Sequence, residues 1–79
     1  MLNELASASK VVGVKQARRA LASGQAKRLY LAKDADPQLT QPLADEAGKR
    51  GVEVVWAESM KALGRACGIA VGASVCAAI

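Results

Sequence analysis

Histidine and phenylalanine are absent from this chain, tryptophan and tyrosine occur once each, and cysteine and proline twice each. Without histidine there is no imidazole for a Ser–His or Cys–His pair, no H-E-x-x-H helix, and no zinc site for Cys67 and Cys76 to join. G-x-S-x-G is also missing. Gly64, Gly68 and Gly72 recur every fourth residue with no strand before them, so they are not a dinucleotide fingerprint. Gly48-Lys49-Arg50-Gly51 reads as a helix end, where the dipole explains the basic residues, and Asp34 and Asp36 read as caps rather than an acid–base pair. These absences argue against an enzyme. Long apolar runs are lacking too. The longest uncharged stretch, 66–79, is too short to span a bilayer and is broken by Gly68, Gly72 and Ser74. The first residues lack the charged-then-apolar profile of a signal peptide, so the expected compartment is the cytoplasm, with Cys67 and Cys76 as buried, reduced thiols.

Acidic residues are scarce in the first half. Only Glu4 precedes Asp34, whereas Lys10, Lys15, Arg18, Arg19, Lys27, Arg28 and Lys33 all fall there. The net charge of +4 favours a polyanionic partner. The chain's 79 residues suit a single domain over 1–79, whose core must be small aliphatic side chains because large anchors are so few.

Helix and strand patterns alternate along the chain. Leu2, Leu5, Ala6 and Ser9 suit one face of a short N-terminal helix, and Val11 and Val12 a brief strand that delivers Gly13. A helix follows to about Gly24, with Lys15, Gln16 and Arg19 on one face and Ala17, Ala20 and Leu21 on the other. Arg28–Lys33 reads as a buried strand. Asp36 and Pro37 open a helix with Leu39, Leu43 and Ala47 as its buried stripe, stopping at Gly51. Val52–Trp56 is apolar enough to be read as an internal strand. Ser59 caps a last helix that buries Met60, Leu63 and Cys67, and Ser74–Ile79 is the final strand. The expected fold is α/β, a three-layer α/β/α sandwich around a small mixed sheet.

A helix opened by glycine leaves bare N–H groups at the positive end of its dipole, a setting that attracts phosphates. The glycine-bracketed loop Gly68-Ile69-Ala70-Val71-Gly72 admits two readings. Its side chains fill the small core, or they cover a splayed-out base while the basic helix start reads base edges.

The run Gly13-x-Lys15-Gln16-x-x-Arg19-Ala20-Leu21, then Lys33-Asp34-Ala35-Asp36-Pro37, then Glu58-Ser59-Met60-Lys61-x-Leu63-Gly64-x-Ala66-Cys67-Gly68-Ile69-x-Val71-Gly72-Ala73 resembles the L-seven-Ae family of ribosomal proteins. Its short bacterial branch, the YbxF-like proteins, is the closest in look. The resemblance implies the same sandwich and binding to kink-turn RNA, an internal loop with tandem sheared G·A pairs. Carried over by position, Gly13 allows close backbone approach, Lys15 and Gln16 meet the G·A edges, and Arg19 holds a phosphate or a guanine edge. Ile69, Ala70 and Val71 form an apolar wall. Lys33 and Arg65 are candidate phosphate contacts. Many relatives outside the bacterial branch carry Asn-Glu where this chain has Lys15-Gln16, and Val14 stands where a threonine is common within it. The implied partner is a structured RNA with a kinked internal loop, with the ribosome a further candidate, and the chain is expected to act as a monomer without metal, cofactor or membrane. A protein-interaction module docking through 68–72 is the alternative.

Overall fold

The computed structural model describes residues 9–79. The elements run β1 (Lys10–Val12), α1 (Val14–Ala22), β2 (Arg28–Ala32), α2 (Pro37–Lys49), β3 (Glu53–Ala57), α3 (Met60–Cys67) and β4 (Val75–Ala78). The helix expected around Leu2, Leu5 and Ala6 lies outside the described residues. Ser9, grouped with it, is exposed and outside regular structure.

The four strands form one mixed sheet in the order β1-β4-β2-β3. β2 and β3 are parallel, as the intervening helix requires, and β4 is antiparallel to both β1 and β2. Each face of the sheet has its own core. Ala17, Ala20 and Leu21 of α1 and Leu43 and Ala47 of α2 meet Leu29, Leu31, Val75 and Ala77 on one face. Leu63 and Cys67 of α3 meet Tyr30, Ala32, Ala57 and Cys76 on the other. Strand alternation sends Leu29 and Leu31 one way and Tyr30 and Ala32 the other, so β2 is buried on both sides. This is the three-layer α/β/α sandwich the alternation of elements implies.

Two expectations need correction. β3 is an edge strand, not an internal one. Its apolar run reflects helices on both faces of the sheet, whereas β4, the last strand in the chain, takes the inner place beside β2. Periodicity reports which faces are covered and carries no information on lateral neighbours. In α2, Leu39 is 42% exposed and Thr40 takes its place in the buried stripe with Leu43 and Ala47. Steps of four residues drift around a helix with 3.6 residues per turn, and Leu39 falls on the flank.

The helix ends are chemically specified. The Asp36 carboxylate accepts a hydrogen bond from the Gln38 N–H at 2.9 Å, with Pro37 at the first helical position. The Ser59 hydroxyl accepts from the Ala62 N–H at 3.0 Å, and Gly68 ends α3 in the left-handed conformation. Asp34 reaches across from the β2–α2 turn to accept the Met60 N–H at 2.7 Å. Both carboxylates of the turn are therefore caps, one for each of two helices.

Cys67 and Cys76 are both buried free thiols on the α3 face. Burial, reinforced by the hydrogen bond and charge interaction between Cys76 and the neighbouring Cys67 sulfur, both of which favour the protonated Cys76 thiol, pushes Cys76 from 9.0 up to about 12. The folded state thus binds this proton more tightly than the unfolded chain. The associated stability is complete below the unfolded value and is lost as pH rises toward the folded one. Unfolding free energy from urea titrations is expected to fall between pH 9 and 12, with a shallower slope in Cys76→Ala. Alkylation of denatured protein purified without reductant is expected to find both thiols free, and a stoichiometric disulfide would contradict this.

Candidate nucleic-acid interface

Because β1, β2 and β3 are mutually parallel, they all end at one edge of the sheet, where β4 begins. The start of α1, the 33–36 turn, the start of α3 and the 68–74 loop gather at that edge. In open α/β sheets this is where ligands bind.

Gly13 joins β1 to α1 with φ 109° and ψ 156°, a backbone region reserved for glycine. Its N–H donates to the Val75 carbonyl at 2.9 Å and its carbonyl accepts from Ala17 at 2.9 Å. The N–H groups of Val14, Lys15 and Gln16 are thus the ones the helix cannot satisfy. No side chain caps them, in contrast to α2 and α3. Lys15, Gln16, Arg18 and Arg19 are all exposed, and none has a side-chain hydrogen bond or ion pair among the described residues. Ala17, Ala20 and Leu21 fix the other face of α1 in the core.

The 68–72 loop is seated on α3. A Cβ at Gly64 would lie 2.1 Å from the Val71 carbonyl oxygen, and one at Gly72 would lie 3.1 Å from the Met60 Cβ. Only a residue without a side chain lets loop and helix approach so closely. Hydrogen bonds run from the Ile69 N–H to the Gly64 carbonyl and from the Ala73 N–H to the Met60 carbonyl, both 3.0 Å. The Ser74 hydroxyl donates to the Met60 sulfur at 3.4 Å. With its backbone pinned, the loop points the Val71 side chain outward, 71% exposed, and Ala70 is exposed beside it. Ile69 is half-buried and packs on the α3-side core. The two readings of the loop therefore divide between its residues: Ile69 packs inward, Val71 does not.

Loop and helix start are coupled through the sheet. The loop re-enters it at Ser74 and Val75, whose carbonyls accept from Ala32 at 3.0 Å and Gly13 at 2.9 Å. The structure thus brings Gly13, Lys15 and Gln16 and the loop residues Ile69, Ala70 and Val71 to one end of the sheet, with Arg19 one turn along α1. Lys33 follows Ala32 at the same end but pairs with Glu58 at 3.4 Å, an exposed contact that costs little to break. Arg65 is exposed on α3, one residue past Gly64. The carboxylates at this end, Asp34, Asp36 and Glu58, are each engaged in a cap or an ion pair. Two features escaped the sequence reading. The seat at Gly64 was signalled by a glycine inside a helix, where it costs stability and has a packing reason. Asp34 is a cap, as expected, but its partner, the Met60 N–H at the start of α3, is 26 residues away and had no local signal.

The chain matches the model of the ribosomal protein L7Ae/L30e/S12e/Gadd45 family over residues 3–79. It belongs to that family. An RNA-binding protein of Bacillus pumilus is 45% identical over 67 residues, spanning 85% of this chain and 82% of the relative. RNA-binding protein YbxF of Geobacillus stearothermophilus is 42% identical over 67 residues with the same coverage, which supports the YbxF-like branch. Large ribosomal subunit protein eL8 of Halobacterium salinarum is 31% identical over 68 residues, spanning 85% of this chain and 57% of that one. Among solved structures, the Giardia lamblia 15.5kD RNA binding protein superposes with a TM-score of 0.85 at 31% identity, covering 98% of this chain and 66% of the other.

Substitutions in and under the loop should separate its exposed and its seated parts. Val71→Ser is expected to leave the melting temperature nearly unchanged, because that side chain already meets solvent. Gly64→Ala is expected to cost roughly 1–3 kcal/mol, as overpacking does, despite the better helix propensity of alanine. Thermal melts of the two variants beside the parent check both.

Proposed function

We propose that this chain is a non-catalytic RNA-binding protein that recognises kink-turn RNA through the start of α1 and the 68–72 loop. What carries the reading is the contrast among helix starts. α2 and α3 are closed by Asp36, Ser59 and Asp34, whereas α1 presents open N–H groups flanked by Lys15 and Arg19. Membership of the family and the RNA-binding relatives support the same reading.

In this mechanism the start of α1 enters the groove widened at the sheared G·A pairs. Gly13 lets the backbone come close, and the free N–H groups with Lys15 and Gln16 meet the exposed base edges. Gln16 offers both an amide oxygen for a guanine amino group and an NH2 for a ring acceptor. Arg19 holds a backbone phosphate. Val71 and Ala70 lie against the nucleotide extruded at the kink, with Ile69 anchoring the loop to the core behind them. Lys33 and Arg65 add phosphate contacts at the margin, Lys33 after releasing Glu58. The protein acts as a monomer in the cytoplasm on ribosomal or regulatory RNA, with no cofactor. Among the described residues no helix is long and apolar enough to cross a membrane.

Calorimetric titration with a short kink-turn RNA is expected to show binding that is largely lost when the sheared pairs become Watson–Crick pairs. Equal affinities would leave only unspecific attraction to phosphate. Arg19→Ala is expected to weaken binding and flatten the salt dependence by about one unit. Gln16→Ala is expected to erode discrimination by roughly 1–3 kcal/mol with the salt slope unchanged.

A further inference from the structure

The proposed RNA surface occupies the α1, β1 and β4 side of the molecule. The opposite side, built from α2 and the edge strand β3, has a different chemistry. Residues 36–58 hold five acidic side chains (Asp36, Asp45, Glu46, Glu53 and Glu58) against two basic ones, Lys49 and Arg50, a net of −3. The other described residues, 9–35 and 59–79, hold nine basic side chains and one acidic, Asp34. With Arg28 and Lys33, which pair with Glu53 and Glu58, counted into it, this flank still has a net of −1 (−3 + 2) under an overall positive charge, and it offers a phosphate backbone no attraction.

That flank also carries two exposed large apolar side chains, Leu39 at 42% and Trp56 at 43%. Trp56 is in register with Leu31 and two residues from Val54, both of which belong to the α1–α2 side, so its ring is on the α2 face. Leu39 sits in the first turn of α2, which starts at the end of the sheet where β3 finishes. Exposed tryptophan is enriched where proteins meet. Among the described residues no strand pairs with the outer side of β3. Lys33 N–H donates to the Ala57 carbonyl at 2.9 Å, so Ala57 faces β2, and alternation turns the backbone groups of Val54 and Trp56 outward. Neither lysine nor proline guards residues 53–57, and their register with β2 is unbroken by a bulge.

We propose that this edge binds an extended lysine- or arginine-rich segment of a partner protein, added as a strand beside β3. The segment's backbone pairs with Val54 and Trp56, an apolar side chain rests on Trp56 and Leu39, and its cations compete for Glu53 and Glu58 at the two ends of the strand, whose solvent-facing pairs with Arg28 (2.9 Å) and Lys33 (3.4 Å) cost little to exchange. A second copy of this chain fits poorly, because two such edges would oppose acidic flanks. RNA is disfavoured by sign. The family member thus holds RNA on one side and a basic protein on the other.

Trp56 is the only tryptophan in the chain, so its emission reports this surface alone. Titration of the full chain with a short peptide of alternating lysine and valine is expected to give a saturable blue shift, and the glutamate–valine counterpart none. With the lysine–valine peptide fluorescently labelled and read by anisotropy, Trp56→Lys is expected to weaken binding by about tenfold or more. The milder Glu58→Gln is expected to weaken it by about threefold, with circular dichroism confirming the fold of each variant. Binding undiminished in both variants would overturn the proposal. So would an equal blue shift from the acidic peptide, from plain duplex RNA, or from raising the protein concentration alone; these would make the flank generally apolar, an RNA face, or a self-association edge. Kink-turn binding by Trp56→Lys in the same buffer is expected to be unchanged, so failure of this proposal and failure of the RNA reading are separable.

Discussion

The insertion of β4 between β1 and β2 is the constraint on which the rest of the molecule depends. Its inner position closes the sheet and supplies core residues to both faces, Val75 and Ala77 to one and Cys76 to the other. It also fixes the candidate site. The residues that open the strand, Ser74 and Val75, accept from Ala32 and from Gly13. The segment that ends the apolar loop is therefore the same segment that holds the start of α1. A protein with few large core side chains gains rigidity at its binding edge by placing that edge at the ends of central strands rather than on a long loop. The same insertion sends β3 to the margin and opens the edge on which the acidic flank rests.

Much of this was legible in the sequence where the signal is local. Asp36-Pro37, Ser59 and Gly68 mark helix ends by the chemistry of caps, and those boundaries hold. The face of α1 follows from helical period alone, with Ala17, Ala20 and Leu21 inside. The candidate site residues could be named because a glycine before a basic helix and a glycine-bracketed apolar loop are each compact in sequence. Their convergence was implied only by the family resemblance. The sheet order explains it physically, and sheet order has no local signature.

What stayed hidden was pairwise and long-range. Val52–Trp56 has the composition of an inner strand because helices cover both faces of the sheet, and composition does not register which strand stands at the margin. Leu39 has the residue type of a core position but sits on the flank of α2, while a threonine occupies the stripe. Gly64 was visible as a helix-interior glycine, yet its reason is the Val71 carbonyl lying against it, a contact that exists only once α3 and the returning loop are packed.

The carboxylates tie these observations together. At the binding edge Asp34 and Asp36 close helix starts and Glu58 pairs with Lys33, so negative charge there is consumed in holding structure. α1 has no acidic residue in its first turn, and its dipole adds positive potential to Lys15 and Arg19 instead of being neutralised. Among the described residues the remaining acidic side chains, Asp45, Glu46 and Glu53, lie on α2 and β3. The result is a molecule with a charge axis, and an electrostatic axis orients a protein before contact. A polyanion meets the α1 side first, at a distance where no base edge is read. Hydrogen bonding at Gln16 and packing at Val71 then act on an encounter already correctly turned. Affinity drawn from the basic side chains alone would be indifferent to RNA shape; discrimination has to come from the seated loop and the uncapped helix start, both of which are built on glycine.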